Sequence, residues 1–275
     1  STPNDLVATI LAYDDARGAP PGNAPHAGYQ RLAGGETVVL MDTGLPPPVH
    51  LSEAAHAGCL SLEMSSGRNR IVVNCGVSGR AGEGWRQVAR STAAHSTAGF
   101  EDSSSCRFLG ERPFGRWLGA PVISGPTSVP VERMEDAMGT RVTASHNGYA
   151  ARFHVLHERD IRLASDGSVL DGLDLFSTTG ALSAHDHYTV RFHLHPLVKA
   201  ELLRGGIGAA LVCADGETWE FDASGGELAL EESVYLSDVH GHRRTQQLVI
   251  YGRISQASQV AWQFRRTVLP RPQRR

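Results

Sequence analysis

From about Glu36 to Leu269 the sequence breaks into short β-branched or alternating apolar runs, each closed by Gly, Asp or Asn. That punctuation leaves little room for helix and is the pattern of an all-β, antiparallel β-sandwich, here supersandwich-like. Strands are expected at Thr37 to Met41, Cys59 to Ser65, Asn69 to Cys75, Arg141 to Ser145, Ala150 to His157, Tyr188 to His195, Ala209 to Ala214, Thr218 to Asp222, Glu227 to Leu236, Gln246 to Arg253 and Gln259 to Leu269. Asn147-Gly148, Asp166-Gly167 and Asp215-Gly216 supply tight-turn chemistry at hairpin positions. Helix is expected to be almost absent beyond residue 18 and to lie mainly in one short piece at the start. There Thr2 can cap, Pro3 suits the first helical position, Asp5 completes a capping-box pattern, Leu6, Val7, Ile10 and Leu11 share a face, and Gly18 can end it. The turn-rich stretch Ala19 to Pro25 then divides residues 1–25, helix and linker, from a β domain over 26–275.

The chain has 275 residues, 41% of them hydrophobic, enough for a substantial core. A formal net charge of -3 provides no long-range field for a polyanion, which disfavours nucleic acid and leaves any acidic ligand to local groups. Lys199 is the one lysine and every other basic residue is arginine. A guanidinium suits bidentate recognition of carboxylate or sulfate, although a GC-rich genome yields the same bias. Cys59, Cys75, Cys106 and Cys213 form no C-x-x-C pair, and apolar neighbours such as Val72-Val73 suggest buried free thiols. Four cysteines could also pair, so the redox compartment stays open. No basic segment followed by an apolar run opens the chain, and no stretch approaches the roughly 18 apolar residues of a membrane span. The chain is expected either to be cytosolic or to have lost its beginning.

One hairpin can be placed in register. A type II′ loop at Gly67-Arg68 sets Met64 opposite Ile71, Leu62 opposite Val73, Leu60 opposite Cys75 and Ser61 opposite Asn74. The thirteen histidines carry most of the chemical interest, because imidazole is both a metal ligand and an acid/base group near neutral pH. His185 and His187 precede a strand that carries His193 and His195 at the spacing that shares a face. Such a pair could hold zinc with a third ligand, or simply line a polar sheet face. No G-x-S-x-G elbow, Walker loop or H-E-x-x-H helix occurs, and Gly34-Gly35 is followed by a strand rather than by the helix a phosphate site needs.

The segments Ala55-His56-Ala57-Gly58-Cys59-Leu60-Ser61-Leu62-Glu63-Met64, Ile71-Val72-Val73-Asn74-Cys75-Gly76 and Arg90-Ser91-Thr92-Ala93-Ala94-His95-Ser96-Thr97 resemble the opening of the heparinase II/III-like β domain. His146-Asn147-Gly148-Tyr149, Val155-Leu156-His157 and Arg191-Phe192-His193-Leu194-His195-Pro196 resemble its later signatures, in the same order. The resemblance implies a polysaccharide lyase that cleaves uronate-containing acidic polysaccharides such as glycosaminoglycans by β-elimination, in a cleft between this sandwich and an N-terminal helical toroid. It also implies a bacterial cell-envelope or periplasmic setting. Elimination needs a base for the proton alpha to the carboxylate, a group that stabilises the resulting anion, and an acid for the leaving oxygen. In the family a tyrosine and an asparagine or glutamate come from the toroid, and a histidine comes from the sandwich.

Carried over residue by residue, the family's H-x-H-x-D pattern falls on Ala54, His56 and Gly58, so Ala54 occupies the position of the catalytic histidine. His56 falls on a metal ligand of some members, Asn74 on the aspartate of that site and His95 on its last histidine. An amide brings no charge to offset a cation, so the resemblance implies a degraded zinc site at His56, Asn74 and His95, with no cofactor required. The strand register sets His56 and Asn74 on opposite faces unless Gly58 forms a bulge. His56 and His95 are expected to approach each other at one edge of the sandwich with Asn74 close by, and the resemblance assigns substrate contact to Arg90 and His95. The expected function is a lyase module, inactive without its toroid; the alternatives are a non-catalytic glycan-binding sandwich and a structural one.

Overall fold

The computed structural model describes residues 20–24, 26–77, 82–110, 120–181, 186–237 and 241–270. The helix expected before Gly18 lies outside them. Along Val155–Ala164, Val155, His157, Arg159, Ile161 and Leu163 are buried while the residues between them are half-exposed. This period of two lays one face of each strand on a core and the other toward water.

The first sheet has nine strands. In spatial order they are β1 (Asn23–Ala24), β2 (Tyr29–Gly34), β3 (Thr37–Asp42), β4 (Leu62–Ser66), β5 (Asn69–Val73), β13 (His187–Leu194), β18 (Gly241–Arg253) and β17 (Glu227–Ser237), with β6 (Ala98–Phe100) also pairing with β13. The second sheet runs β14 (Lys199–Leu202), β15 (Gly208–Val212), β16 (Thr218–Ser224), β19 (Gln259–Val268), β12 (Val169–Thr178), β11 (Val155–Ala164), β10 (Gly139–His146) and β9 (Val131–Asp136). A ribbon of β7 (Arg107–Phe108) and β8 (Val122–Ser124) stands apart, and the pairings are antiparallel throughout. The chain is thus the expected all-β antiparallel sandwich. Among the described residues no helix is long and apolar enough to cross a membrane.

Aromatic side chains join the layers. Phe192 of the first sheet meets Trp262 of the second with ring centroids 4.8 Å apart, and Phe221 and Phe264 at 5.4 Å each. Tyr188 stacks on Phe176 across the same interface at 4.4 Å. All six are buried, and truncating one such ring to alanine costs about 3–5 kcal/mol.

Three local expectations are corrected. Ala150 to His157 is not one strand: α2 (Ala150–Phe153) ends at His154 in the left-handed region, φ 58°, and β11 starts at Val155. Asn147-Gly148 is accordingly not a hairpin loop; the Asn147 side chain accepts the Thr127 and Ser128 N–H groups instead. Helix past residue 18 is sparse, as expected, its longest described piece being the two-turn α1 (Glu83–Arg90), which lacks a side-chain cap and exposes Trp85 and Val88. The Gly67-Arg68 loop does form, with Gly67 at φ 52° and Ser66 opposite Asn69, but an irregularity then sets Met64 opposite Val72 rather than Ile71. The pairings argued for Leu60, Ser61 and Leu62 fall with that shift.

Candidate functional site

The candidate site sits where β4 begins and β5 ends. The small polar segment Ser91–Thr97 lies between the loop before β4 and the end of β5 and bonds to both. On one side Thr92 donates its hydroxyl to the Ala57 carbonyl at 2.7 Å, Thr97 donates to Cys59, and Leu62 N–H donates to Ser96. On the other, Ser96 donates its hydroxyl to Val73 at 2.7 Å and Cys75 N–H donates to Ala94. Short hydroxyls satisfy buried carbonyls that an apolar segment would leave bare, which is why Ser and Thr recur here.

His56 enters on the loop and His95 on this segment. Ser61 N–H bonds the Gly58 carbonyl, closing a tight turn with Leu60 at φ 59°, so the parity of β4 does not extend back to His56. A turn, not a bulge at Gly58, resolves the facing conflict. His56 Nδ1 and His95 Nε2 are 3.1 Å apart, with the rings edge to face. His95 Nδ1–H donates to the Ser91 carbonyl at 2.7 Å, which leaves Nε2 as an acceptor and fixes His56 Nδ1–H as its donor. A Cβ at Gly58 would come within 2.7 Å of the His95 ring, so this glycine lets the imidazole into the pair. Burial and then the nearby His56 lower the His95 pKa to about 4, while burial and then Arg90 lower that of His56. Both rings are neutral at pH 7.

Asn74 is adjacent but turned away from the pair's shared contact. Its Oδ1 accepts Ser96 N–H at 2.8 Å and its Nδ2 donates to Glu63 Oε1 at 3.2 Å. Two imidazole nitrogens at this separation could share an ion, but the amide oxygen is already engaged, and among the described residues no three His, Cys, Asp or Glu side chains group to hold a metal. The donor set does not fit a three-ligand zinc site.

Arg90 is buried and bonded to backbone carbonyls. Only 4% exposed, it donates Nε to Ala55 at 2.7 Å, NH1 to Ala120 at 2.9 Å and NH2 to Ser52 at 3.0 Å, and its guanidinium lies 4.4 Å from the Phe108 ring centre. It clamps the His56 loop to α1 and to the ribbon. A substrate contact there would have to compete with these three carbonyls.

Behind the pair lies a polar network absent from the sequence reading. Gly148 N–H donates to His146 Nδ1 at 3.0 Å, so His146 Nε2–H donates to His157 Nδ1 at 3.2 Å, and His157 Nε2–H donates to Asp174 Oδ1 at 2.6 Å. Asp174 also accepts Arg159 Nε at 2.8 Å and NH2 at 3.0 Å, and Trp262 Nε1 at 2.8 Å. Arg159 NH1 then reaches the Leu60 and Ser96 carbonyls, both at 2.9 Å, tying the second sheet to the turn and segment that carry the histidines. Arg159 and its hydrogen bonds hold the Asp174 carboxyl well below the usual carboxylate range against the opposing effect of burial, and burial lowers the pKa of His146 and His157. The signal was readable: His157 and Arg159 occupy core-facing positions in an alternating strand, where a charge requires a buried partner.

His193 and His195 share the outer face of β13 but do not pair. His193 donates Nε2–H to Ala93 at 3.0 Å and accepts from Ser233 at 2.8 Å; burial lowers its pKa to about 3. His195 stands edge-on to Tyr235 at 5.3 Å. His187 is exposed beside Glu101, and His185 lies outside the described residues. All four cysteines are buried and free, and burial raises their thiol pKa values, that of Cys75 to about 11.

A sandwich of this topology with paired histidines at one edge defines a class, and comparison with known proteins gives its family. The family described as heparinase II/III-like, C-terminal, matches residues 16–263, and the chain belongs to it. A curated relative, FtsZ-localized protein C of Caulobacter vibrioides, is 31% identical over 210 residues, covering 73% of this chain and 35% of its own length. The heparan sulfate lyase HepC of Pedobacter heparinus superposes with a TM-score of 0.69 at 14% identity, over 98% of this chain and 40% of that one. A heparinase III does so at 0.65 and 13%, over 92% and 37%. These two likenesses show the fold, and the chain spans well under half the length of each of the three proteins.

Proposed function

We propose that this chain is the sandwich half of a protein that receives a uronate-containing acidic polysaccharide in the cleft between the sandwich and a helical domain preceding it. The observation that carries the reading is the His56–His95 pair: two neutral imidazoles joined at 3.1 Å at the positions where the family resemblance expects site histidines. As a lyase module the sandwich positions and does not itself eliminate. His95 has committed both nitrogens, and Ala54 stands where the family carries its sandwich histidine. The proton-transfer groups then come from the helical domain, and removing one general acid or base costs about 100- to 10,000-fold.

A second reading, a non-catalytic glycan-binding module, is favoured by Ala54 and Asn74 together with the 31% identity to a protein named for localisation with FtsZ. On that reading the parent protein binds envelope glycan at the division site. Elimination creates an unsaturated uronate that absorbs in the ultraviolet, and this separates the readings. The isolated chain is expected to give no absorbance rise on heparan sulfate or other uronate polymers, and the chain extended by its helical domain is expected to give one. No rise from the extended protein on any such polymer favours the binding module.

A further inference from the structure

Most exposed arginines of the two sheets have a carboxylate beside them, as Arg253 of the first sheet has Asp186 at 3.0 Å. On the second sheet Arg141 pairs with Asp160, Arg162 with Asp136 and Arg265 with Glu220, and a groove of about 360 Å³ there is lined by Glu132 and Glu158 among others. On the first sheet, beyond the end of β13, Arg70 and Arg243 have no carboxylate partner among the described residues. Arg70 is exposed and donates NH1 to the Tyr235 hydroxyl at 3.2 Å. Tyr235 pairs in register with Arg243 across β17 and β18, so the two share a face. His195 stands against the Tyr235 ring, and its pKa is lowered first by burial and then by the Arg70 and Arg243 guanidinium groups.

The hydrogen-bond directions give this cluster one chemical character. Leu197 N–H donates to His195 Nδ1 at 3.3 Å, which leaves the ring proton on Nε2. The Tyr235 oxygen accepts from Arg70, so its own hydrogen is available to donate. Arginine has donors only. Arg70, Arg243, His195 and Tyr235 thus converge as a set of donors whose arginines have no carboxylate partner among the described residues. The cluster continues from the candidate site: His195 is two residues, about 7 Å, along β13 from His193, which bonds the Ala93 carbonyl two residues before His95.

We propose that Arg70, Arg243, His195 and Tyr235 form an oxyanion subsite that holds a carboxylate or sulfate of an acidic glycan extending along the first sheet from the His56–His95 pair. The inference rests on the acidic-glycan reading above and gives it an address. Arginine forks bind such groups through paired charge-assisted hydrogen bonds, each contributing about 1.5–3 kcal/mol, or roughly tenfold to a hundredfold in affinity.

Calorimetric titration of the full 275-residue chain with a heparan sulfate oligosaccharide tests it, beside the carboxyl-reduced oligosaccharide, the desulfated oligosaccharide and inorganic sulfate. Arg70→Ala and Arg243→Ala are expected to weaken binding about tenfold or more each, Arg70→Lys and Arg243→Lys less, and Arg265→Ala on the other sheet not at all. Thermal melts establish that each variant folds, and the His195 ring titration in the wild type is expected to move upward when glycan neutralises the arginines, a readout that needs no variant. The chemically altered oligosaccharide that loses affinity identifies the group held. Glycan binding that the Arg70 and Arg243 variants leave unchanged overturns the subsite and spares the glycan reading. Arginine-dependent binding of inorganic sulfate without glycan binding keeps an oxyanion site but overturns its glycan assignment and the glycan reading. Binding of neither probe overturns both.

Discussion

Asp174→Asn removes one charge and almost no volume from the centre of the buried network. The carboxylate accepts four hydrogen bonds, from His157, twice from Arg159, and from Trp262, with every partner out of water. An amide accepts through its oxygen only. Whichever way it is turned, its NH2 meets two donors, Arg159 Nε and His157 on the Oδ1 side or Arg159 NH2 and Trp262 on the Oδ2 side. Arg159 stays charged, because a guanidinium does not lose its proton in proteins, and it is left buried without a counter-ion. Breaking a buried pair in this way costs about 3–5 kcal/mol. Urea unfolding followed by tryptophan fluorescence and far-ultraviolet circular dichroism measures the difference, read as a lower midpoint at unchanged slope. Adding Arg159→Met should recover part of the loss, with a coupling of about 2 kcal/mol or more, since the stranded charge leaves with the arginine. An Asp174→Asn protein within about 1 kcal/mol of wild type would refute the reasoning.

Acid should destabilise the protein well above the usual carboxylate range. His95 and His193 have folded pKa values of about 4 and about 3 against 6.5, so the unfolded chain takes up protons first and stability falls as pH drops below 6.5. Between pH 7 and 5 these two alone remove about 4 kcal/mol. The lowered His56, His146 and His157 add to the loss, and Asp42, raised by burial to about 6, returns about 1, so stability from urea unfolding should fall by at least about 2–3 kcal/mol between the two pH values. Equal midpoints at pH 7 and 5 would contradict it. Gly58→Ala should cost about 1–3 kcal/mol by pressing the His95 ring out of the pair, with a new His56 titration curve by NMR as the local sign. Asn74→Asp should destabilise the protein by about 1 kcal/mol, because the new carboxylate faces exposed Glu63, and should leave zinc affinity in a competition assay unchanged, because residue 74 is held by Ser96 and Glu63. Tighter zinc binding would bring residue 74 back into an ion's reach.

The layer architecture was legible because alternation and Gly or Asp turns are local signals, as at Asp166-Gly167 and Asp215-Gly216, which both close hairpins. The meeting of His56 and His95 was legible through motif resemblance, not through spacing. What failed depended on distant partners. The irregularity between β4 and β5 and the left-handed Leu60 are held by tertiary bonds, including Arg159 to the Leu60 carbonyl across 99 positions of sequence. Left-handed backbone costs a bulky residue about 1–2 kcal/mol, so no local rule places Leu60 there. The burial of Arg90 was not legible for the same reason: only the fold supplies the three carbonyls that it bonds.

Chemical-shift mapping of the chain with a heparan sulfate oligosaccharide tests the central claim most directly, because it locates the glycan. Shifts are expected along one path on the first sheet, through His56, His95, His195, Arg70, Tyr235 and Arg243, with Glu132, Glu158 and Arg265 on the second sheet unmoved. Shifts confined to the second sheet, or none at saturating glycan, would contradict it.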